Sequence, residues 1–149
     1  MMYTRGKRRG ALAAAGSMLA GLALVPATAP ASAAATLSCR AMAAYPAKWT
    51  AGYDFQFAVV NTGTEAFSAW VITFDVPPGD VIYTTWNGSV VQSGQHVVAR
   101  SYTNTYNGSL APGASAESIG GVVEGDSAGG LTNITCTPEA PAAPAGPAA

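Results

Sequence analysis

Cys39 and Cys136 are the only two cysteines in the 149 residues, and 97 positions separate them. A bridge between them would force the far end of the chain back beside its beginning. Whether they pair depends on where the chain resides. Met1 to Arg9 carry Arg5, Lys7, Arg8 and Arg9; an uncharged Ala/Leu/Gly run follows from Ala11 to about Pro26, then Ala31-Ser32-Ala33-Ala34-Ala35. A basic head, a short apolar run and an A-x-A end form the pattern of a secretory signal peptide, cut near Ala33 to Ala35. Residues 1–35 are assigned to it. The run is too short and too rich in Ala and Gly to read as a membrane span. Export makes a single disulfide the expected state of the two cysteines. A metal pair would need further ligands, and His96 is the only histidine; no metal or cofactor is expected.

Removing the leader changes the charge. Four of the seven basic residues lie in it, leaving Arg40, Lys48 and Arg100 against eight acids, a net charge of −5. A nucleic-acid or anionic-membrane partner normally demands a basic footprint, which is missing here. The mature chain is expected to bind neither, and to be a monomer. Residues 36–137 suffice for one hydrophobic core. Residues 138–149, rich in Pro and Ala, cannot bury one and read as a disordered tail.

Between the cysteines short alternating runs replace any helical period. Tyr53, Phe55, Phe57 and Val59 alternate with Asp54, Gln56, Ala58 and Val60, as in a half-buried strand. Trp70, Ile72 and Phe74 repeat the pattern, and Trp70 reads as a core residue. Further strands are expected at Val81–Thr85, Ser89–Gln92 and Gln95–Ser101, with weaker ones near Ala114–Val123 and Leu131–Cys136. Ser93-Gly94 suits a hairpin. Many short strands punctuated by turns indicate an all-β fold, an antiparallel sandwich.

Some aromatics stand where core aromatics would not. Trp49 lies between Lys48 and Thr50; Trp86 and Tyr106 are each followed by Asn-Gly-Ser, which reads as one device used twice, a ring presented at an Asn-Gly turn. A flat ring at a rigid turn offers contact area at little entropic cost, which suits a recognition surface. Sugars fit an acidic protein with such rings, because a pyranose has an apolar C–H face and a hydroxyl rim. The same asparagines begin glycosylation sequons, which are read here as turn chemistry.

Lys48-Trp49-Thr50-Ala51-Gly52-Tyr53, Val59-Val60-Asn61-Thr62-Gly63, Ala69-Trp70-Val71-Ile72-Thr73-Phe74, Thr85-Trp86-Asn87-Gly88-Ser89 and Tyr106-Asn107-Gly108-Ser109-Leu110-Ala111-Pro112-Gly113, bracketed by the cysteines, resemble the family 2 carbohydrate-binding modules of bacterial cellulases and xylanases. The resemblance runs from Cys39 to Cys136. It implies a jelly-roll or immunoglobulin-like sandwich with an end-to-end disulfide and three exposed aromatics, mapping to Trp49, Trp86 and Tyr106. It places a sugar-bonding polar residue at Gln56 and a buried tryptophan at Trp70. Rings two strands apart would lie about 10 Å from one another, similar to the two-sugar repeat of a β-1,4-glucan. Xylan binders of the family carry an arginine where this chain has Gly52, so the resemblance favours insoluble polysaccharide, crystalline cellulose above xylan, chitin or soluble β-glucan. Tyr106 stands where the family has tryptophan, and the family's Phe-Gly-Phe strand is not reproduced at Ser118–Val122.

Two other classes compete. Glycoside hydrolysis requires two carboxylates facing one cleft, whereas the eight acids are scattered singly; a single internal histidine and the absence of a G-x-S-x-G turn also count against an enzyme. A structural or adhesive surface protein would use the same fold without sugar specificity. The expectation is a secreted, extracellular, non-catalytic binding protein.

Overall fold

The computed structural model describes residues 29–125 and 130–141. The basic head and apolar run of the leader, and most of the Pro/Ala tail, lie outside the described residues. Among the described residues nine strands follow in order: β1 (Cys39–Ala44), β2 (Lys48–Trp49), β3 (Gly52–Asn61), β4 (Ala69–Asp75), β5 (Val81–Trp86), β6 (Ser89–Ser93), β7 (His96–Arg100), β8 (Ser115–Glu124) and β9 (Thr132–Glu139). All pairings are antiparallel. One sheet has the order β1-β3-β8-β5, with β2 also on β3; the other is β6-β7-β4-β9. The two form the expected sandwich.

Alternation decides what lies between the sheets. Tyr53, Phe55, Phe57 and Val59 of β3 face Trp70, Ile72 and Phe74 of β4, joined by Val97, Ala99, Ile119 and Val123. Phe55, Phe57 and Phe74 pack with ring centroids 5.1–5.8 Å apart. Trp70 is fully buried, and its indole N–H donates to the Asn107 carbonyl at 2.7 Å. The Tyr53 phenol is pushed well above its ordinary pKa, chiefly by burial and then by the neighbouring Asp80 carboxylate. Its hydroxyl nonetheless meets no partner of good hydrogen-bond geometry.

Three strands differ from the sequence expectation, the two-residue β2 simply by being present. β1, Cys-Arg-Ala-Met-Ala-Ala, has too little β-propensity to announce itself; its ladder to β3, from Cys39↔Asn61 to Ala44↔Gln56, makes it a strand. β8 was expected to be weak and is instead central, paired with both β3 and β5 over ten residues. Its Gly120-Gly121 pair dilutes the sequence signal, yet packing demands it. A Cβ on Gly121 would stand 2.7 Å from the Phe55 ring, and one on Gly120 2.6 Å from both Trp86 and Gln56.

The two flanks of the sandwich are closed differently. On one, Cys39 of β1 bonds to Cys136 of β9, linking an edge strand of each sheet across a Cα–Cα distance of 5.6 Å. On the other, Gln92 of β6 accepts from the Ile82 N–H of β5 (2.8 Å) and donates to the carbonyls of Asp80 (2.9 Å) and Gly94 (2.8 Å). Gln92 thereby satisfies the Ile82 N–H that β5, as an edge strand, leaves open, and ties itself to the residue before β5 and to its own hairpin turn. Ser93-Gly94 is the expected hairpin, with Gly94 at φ 59°. His96 is a surface residue whose Nδ1 pairs with Asp75 at 2.9 Å. Asp75 also accepts from Asn133 at 2.7 Å, and these two bonds, Asn133 first, hold its carboxyl below the ordinary range.

Candidate functional site

The outer face of the β3–β8–β5 sheet collects the residues of interest. Since Phe55, Gly121 and Thr85 occupy one level facing the core, Gln56, Gly120 and Trp86 at the next level face outward. Asp54 and Thr84 lie outward at the level of Val122, and Glu124 outward opposite Gly52. Trp49 pairs with Gly52, and its ring rests on that glycine: a Cβ there would stand 3.0 Å from Cζ2 of the indole. Trp86 rests in the same manner on Gly120. Both rings keep substantial exposure, 46% for Trp49 and 38% for Trp86. Two glycines thus remove the side chains that would lift the rings off the sheet.

A bulge sets the polar frame. Gln56 pairs with Gly120 and Ala58 with Glu117, so Ser118 and Ile119 together oppose Phe57. Both are fully buried, which explains why alternation fails there. The Ser118 carbonyl accepts from the Gln56 Nε2 at 2.9 Å and from the Asn87 Nδ2 at 3.4 Å. The Gln56 Oε1 in turn accepts the Trp86 indole N–H at 3.1 Å. Gln56, the residue expected to serve sugar hydroxyls, thus has its carbonyl engaged with the Trp86 indole and one amide proton with the Ser118 carbonyl. Gln56→Leu should therefore weaken binding by about three- to tenfold, the loss of roughly one hydrogen bond's worth of positioning. Isothermal titration with a soluble oligosaccharide checks this, and a shifted Trp86 indole N–H resonance would mark the released ring.

The two aromatic-Asn-Gly-Ser segments are not one device. In the first, Asn87 has φ 63° and the chain crosses from β5 in one sheet to β6 in the other. In the second, the positive φ falls at Asn104 (58°), while Asn107 is buried and serves as a fastener. Its Nδ2 donates to the Asn87 carbonyl at 2.9 Å, its Oδ1 accepts from Thr105 at 2.8 Å, and its carbonyl takes the Trp70 N–H. Tyr106 and Trp86 each precede one member of the Asn107–Asn87 bond, so they sit at the same end of the sheet. Tyr106 is 73% exposed.

The glycines that seat the two indoles lie farther apart than the 10 Å expected of rings two strands apart. Trp49 and Trp86 arise from β2 and β5, three strands apart, and each leans inward onto the strand beside it. Gly52 and Gly120 are separated by one strand spacing and four residues of register, which gives about 14 Å from ~4.8 Å between strands and ~3.3 Å per residue. The line of rings thus runs more along the strands than across them.

Asp54 and Glu124 were read as isolated acids, but register makes them diagonal neighbours on this same outward face. They flank the ring line on an open sheet surface. Among the described residues no group of three His, Cys, Asp or Glu side chains could hold a metal ion. A hollow of about 650 Å³ lies on the Gln92 flank, between Pro78–Ile82 and Gln92–Gln95, away from the rings; both of its glutamines, Gln92 and Gln95, already bond backbone groups.

An open sheet face bearing seated, exposed indole rings and a polar frame defines a carbohydrate-binding module. The chain belongs to the cellulose binding domain family, which matches residues 39–139. A cellulose/chitin binding protein of Mycobacterium tuberculosis is 35% identical over 118 residues, covering 79% of this chain and 72% of that protein. Chitinase C of Streptomyces lividans is 37% identical over 81 residues, 54% of this chain but 13% of the enzyme. Among solved structures, the chitin-binding domain of Chi18aC from Streptomyces coelicolor superposes with a TM-score of 0.55 at 32% identity, covering 69% of this chain and 93% of that domain.

Proposed function

We propose that this chain is a secreted, non-catalytic protein that holds insoluble β-1,4-linked polysaccharide, crystalline cellulose first, through Trp49, Trp86 and Tyr106. The observation that carries the reading is the pair of exposed indoles, each resting on a glycine of the same sheet face. Apolar sugar faces stack on the rings, while Asp54, Thr84 and Glu124 offer partners to the hydroxyl rim. Gly52 supports the preference over xylan. A Cβ at that position would meet the Val123 carbonyl oxygen as well as the Trp49 ring, so a long side chain there would displace the indole.

Chitin is the second reading, favoured by the chitin-binding relatives. Its chain shares the β-1,4 ribbon and differs at the substituent on C2. Depletion of the protein from suspensions of cellulose, chitin and xylan separates these readings. Stacking is not charge attraction, so retention should persist at high salt. Retention on none of the three, or release of reducing sugar from any of them, would count against the proposal.

A further inference from the structure

Tyr83 and Tyr102 are exposed aromatics that the ring line does not include, and Tyr83 is the more exposed. It is 71% exposed and sits in β5 at an irregularity of register: Ile82 pairs with Val123 and Thr84 with Val122, so Tyr83 is the extra residue. Ile82 and Thr85 both turn toward the core, three positions apart where alternation would allow two or four. The inserted residue absorbs the difference: a bulge turns Tyr83 and Thr84 to the outward side that carries Trp86, with Tyr83 at the sheet edge, where it also borders Val90 and Gln92 of β6. A bulged edge strand here also disrupts a template for unwanted strand pairing. That purpose accounts for the bulge, but not for a large aromatic on it.

The register locates Tyr83 relative to the ring line. Its level falls between Gly52 and Gly120, on the strand beyond β8. With strands ~4.8 Å apart and residues rising ~3.3 Å, its Cα lies roughly 7 Å to one side of the line from Gly52 to Gly120. A single extended glycan lying on Trp49 and Trp86 would pass Tyr83 by. The surface of a polysaccharide crystal, however, presents a second chain alongside the first.

We propose that Tyr83 contacts this neighbouring chain, so that the face reads two adjacent glycans and thereby favours ordered polymer over a single soluble chain. The proposal rests on the ring line being a polysaccharide site, with which the Tyr83 surface is continuous. It assigns the tyrosine a specificity role rather than a share of the same stacking track.

The test compares two ligands. Tyr83→Ala should weaken binding to crystalline cellulose or chitin by about tenfold. It should leave titration with soluble cellohexaose or chitohexaose unchanged, whereas Trp86→Ala weakens both. Tyr83→Phe, which keeps the ring, should retain crystal binding. Because the side chain is exposed, thermal unfolding should be unaltered in both Tyr83 variants. Unchanged crystal binding in Tyr83→Ala would overturn the proposal, and so would an equal loss on crystal and soluble chain. A wild-type chain that ignored every polymer and oligosaccharide would instead remove the ring-line reading beneath it.

Discussion

Replacing Trp49 and Trp86 together by alanine should abolish retention on insoluble polysaccharide while the sandwich stays folded. From their exposures, each indole has about 100 Å² to offer a sugar face, worth about 2.5 kcal/mol at ~25 cal/mol per Å². One substitution then weakens binding by up to about 50-fold, and the pair by more than about a thousandfold. Neither ring belongs to the core, so folding should survive. The variant has a built-in control. The chain contains three tryptophans, and the double substitution leaves only Trp70, fully buried between the sheets. Blue-shifted emission from Trp70 would certify the core in the same sample whose retention is measured. If that sample still clings to the polymer, the ring line is not the binding surface.

Replacing Cys39 and Cys136 together by alanine should lower the stability of the sandwich by several kcal/mol while leaving the ring-bearing face intact. The closed loop spans 97 positions, for which the chain-entropy account gives about 4.7 kcal/mol. Against typical domain stabilities of about 5–15 kcal/mol, that is a third or more of the total. The topology explains the importance of this link. β1 and β9 are edge strands of different sheets, and no ladder joins them; the disulfide is what fastens that flank covalently, while Gln92 supplies only hydrogen bonds on the other. Urea unfolding should show a midpoint shifted by several kcal/mol once multiplied by its slope. Binding of the still-folded fraction should persist, because the rings are carried by β2, β5 and the Tyr106 segment. A shift below about 1 kcal/mol would show that the unfolded chain gains little freedom when the link is removed.

Much of this architecture was legible in the sequence. Strong alternation in β3 and β4 exposes their core faces directly, since Phe and Trp at every second position have one buried side to occupy. The site was legible only in outline. Trp49, Trp86 and Tyr106 stand out in the sequence as aromatics at turns, whereas nothing local foretells that Gln56 bonds Trp86 and Ser118. Asp54, Thr84, Glu124 and Tyr83 gave no signal as members of one face. They are contributed by three strands distant in the chain, and their company depends on pairing.

Residue order by itself determined what is local: which runs are strands, where turns fall, which two cysteines are available to each other, and which aromatics are candidates for exposure. The tertiary structure alone decided the neighbours. It made the glycine-rich β8 a central strand, placed the two bulges that turn Ser118 inward and Tyr83 outward, tied Asn107 to Asn87, and set the rings along the strands rather than across them. The physical reason is that a side chain's direction follows from its own strand's period of two, whereas register is fixed by the partner strand, and one inserted residue in either reverses the face of everything beyond it.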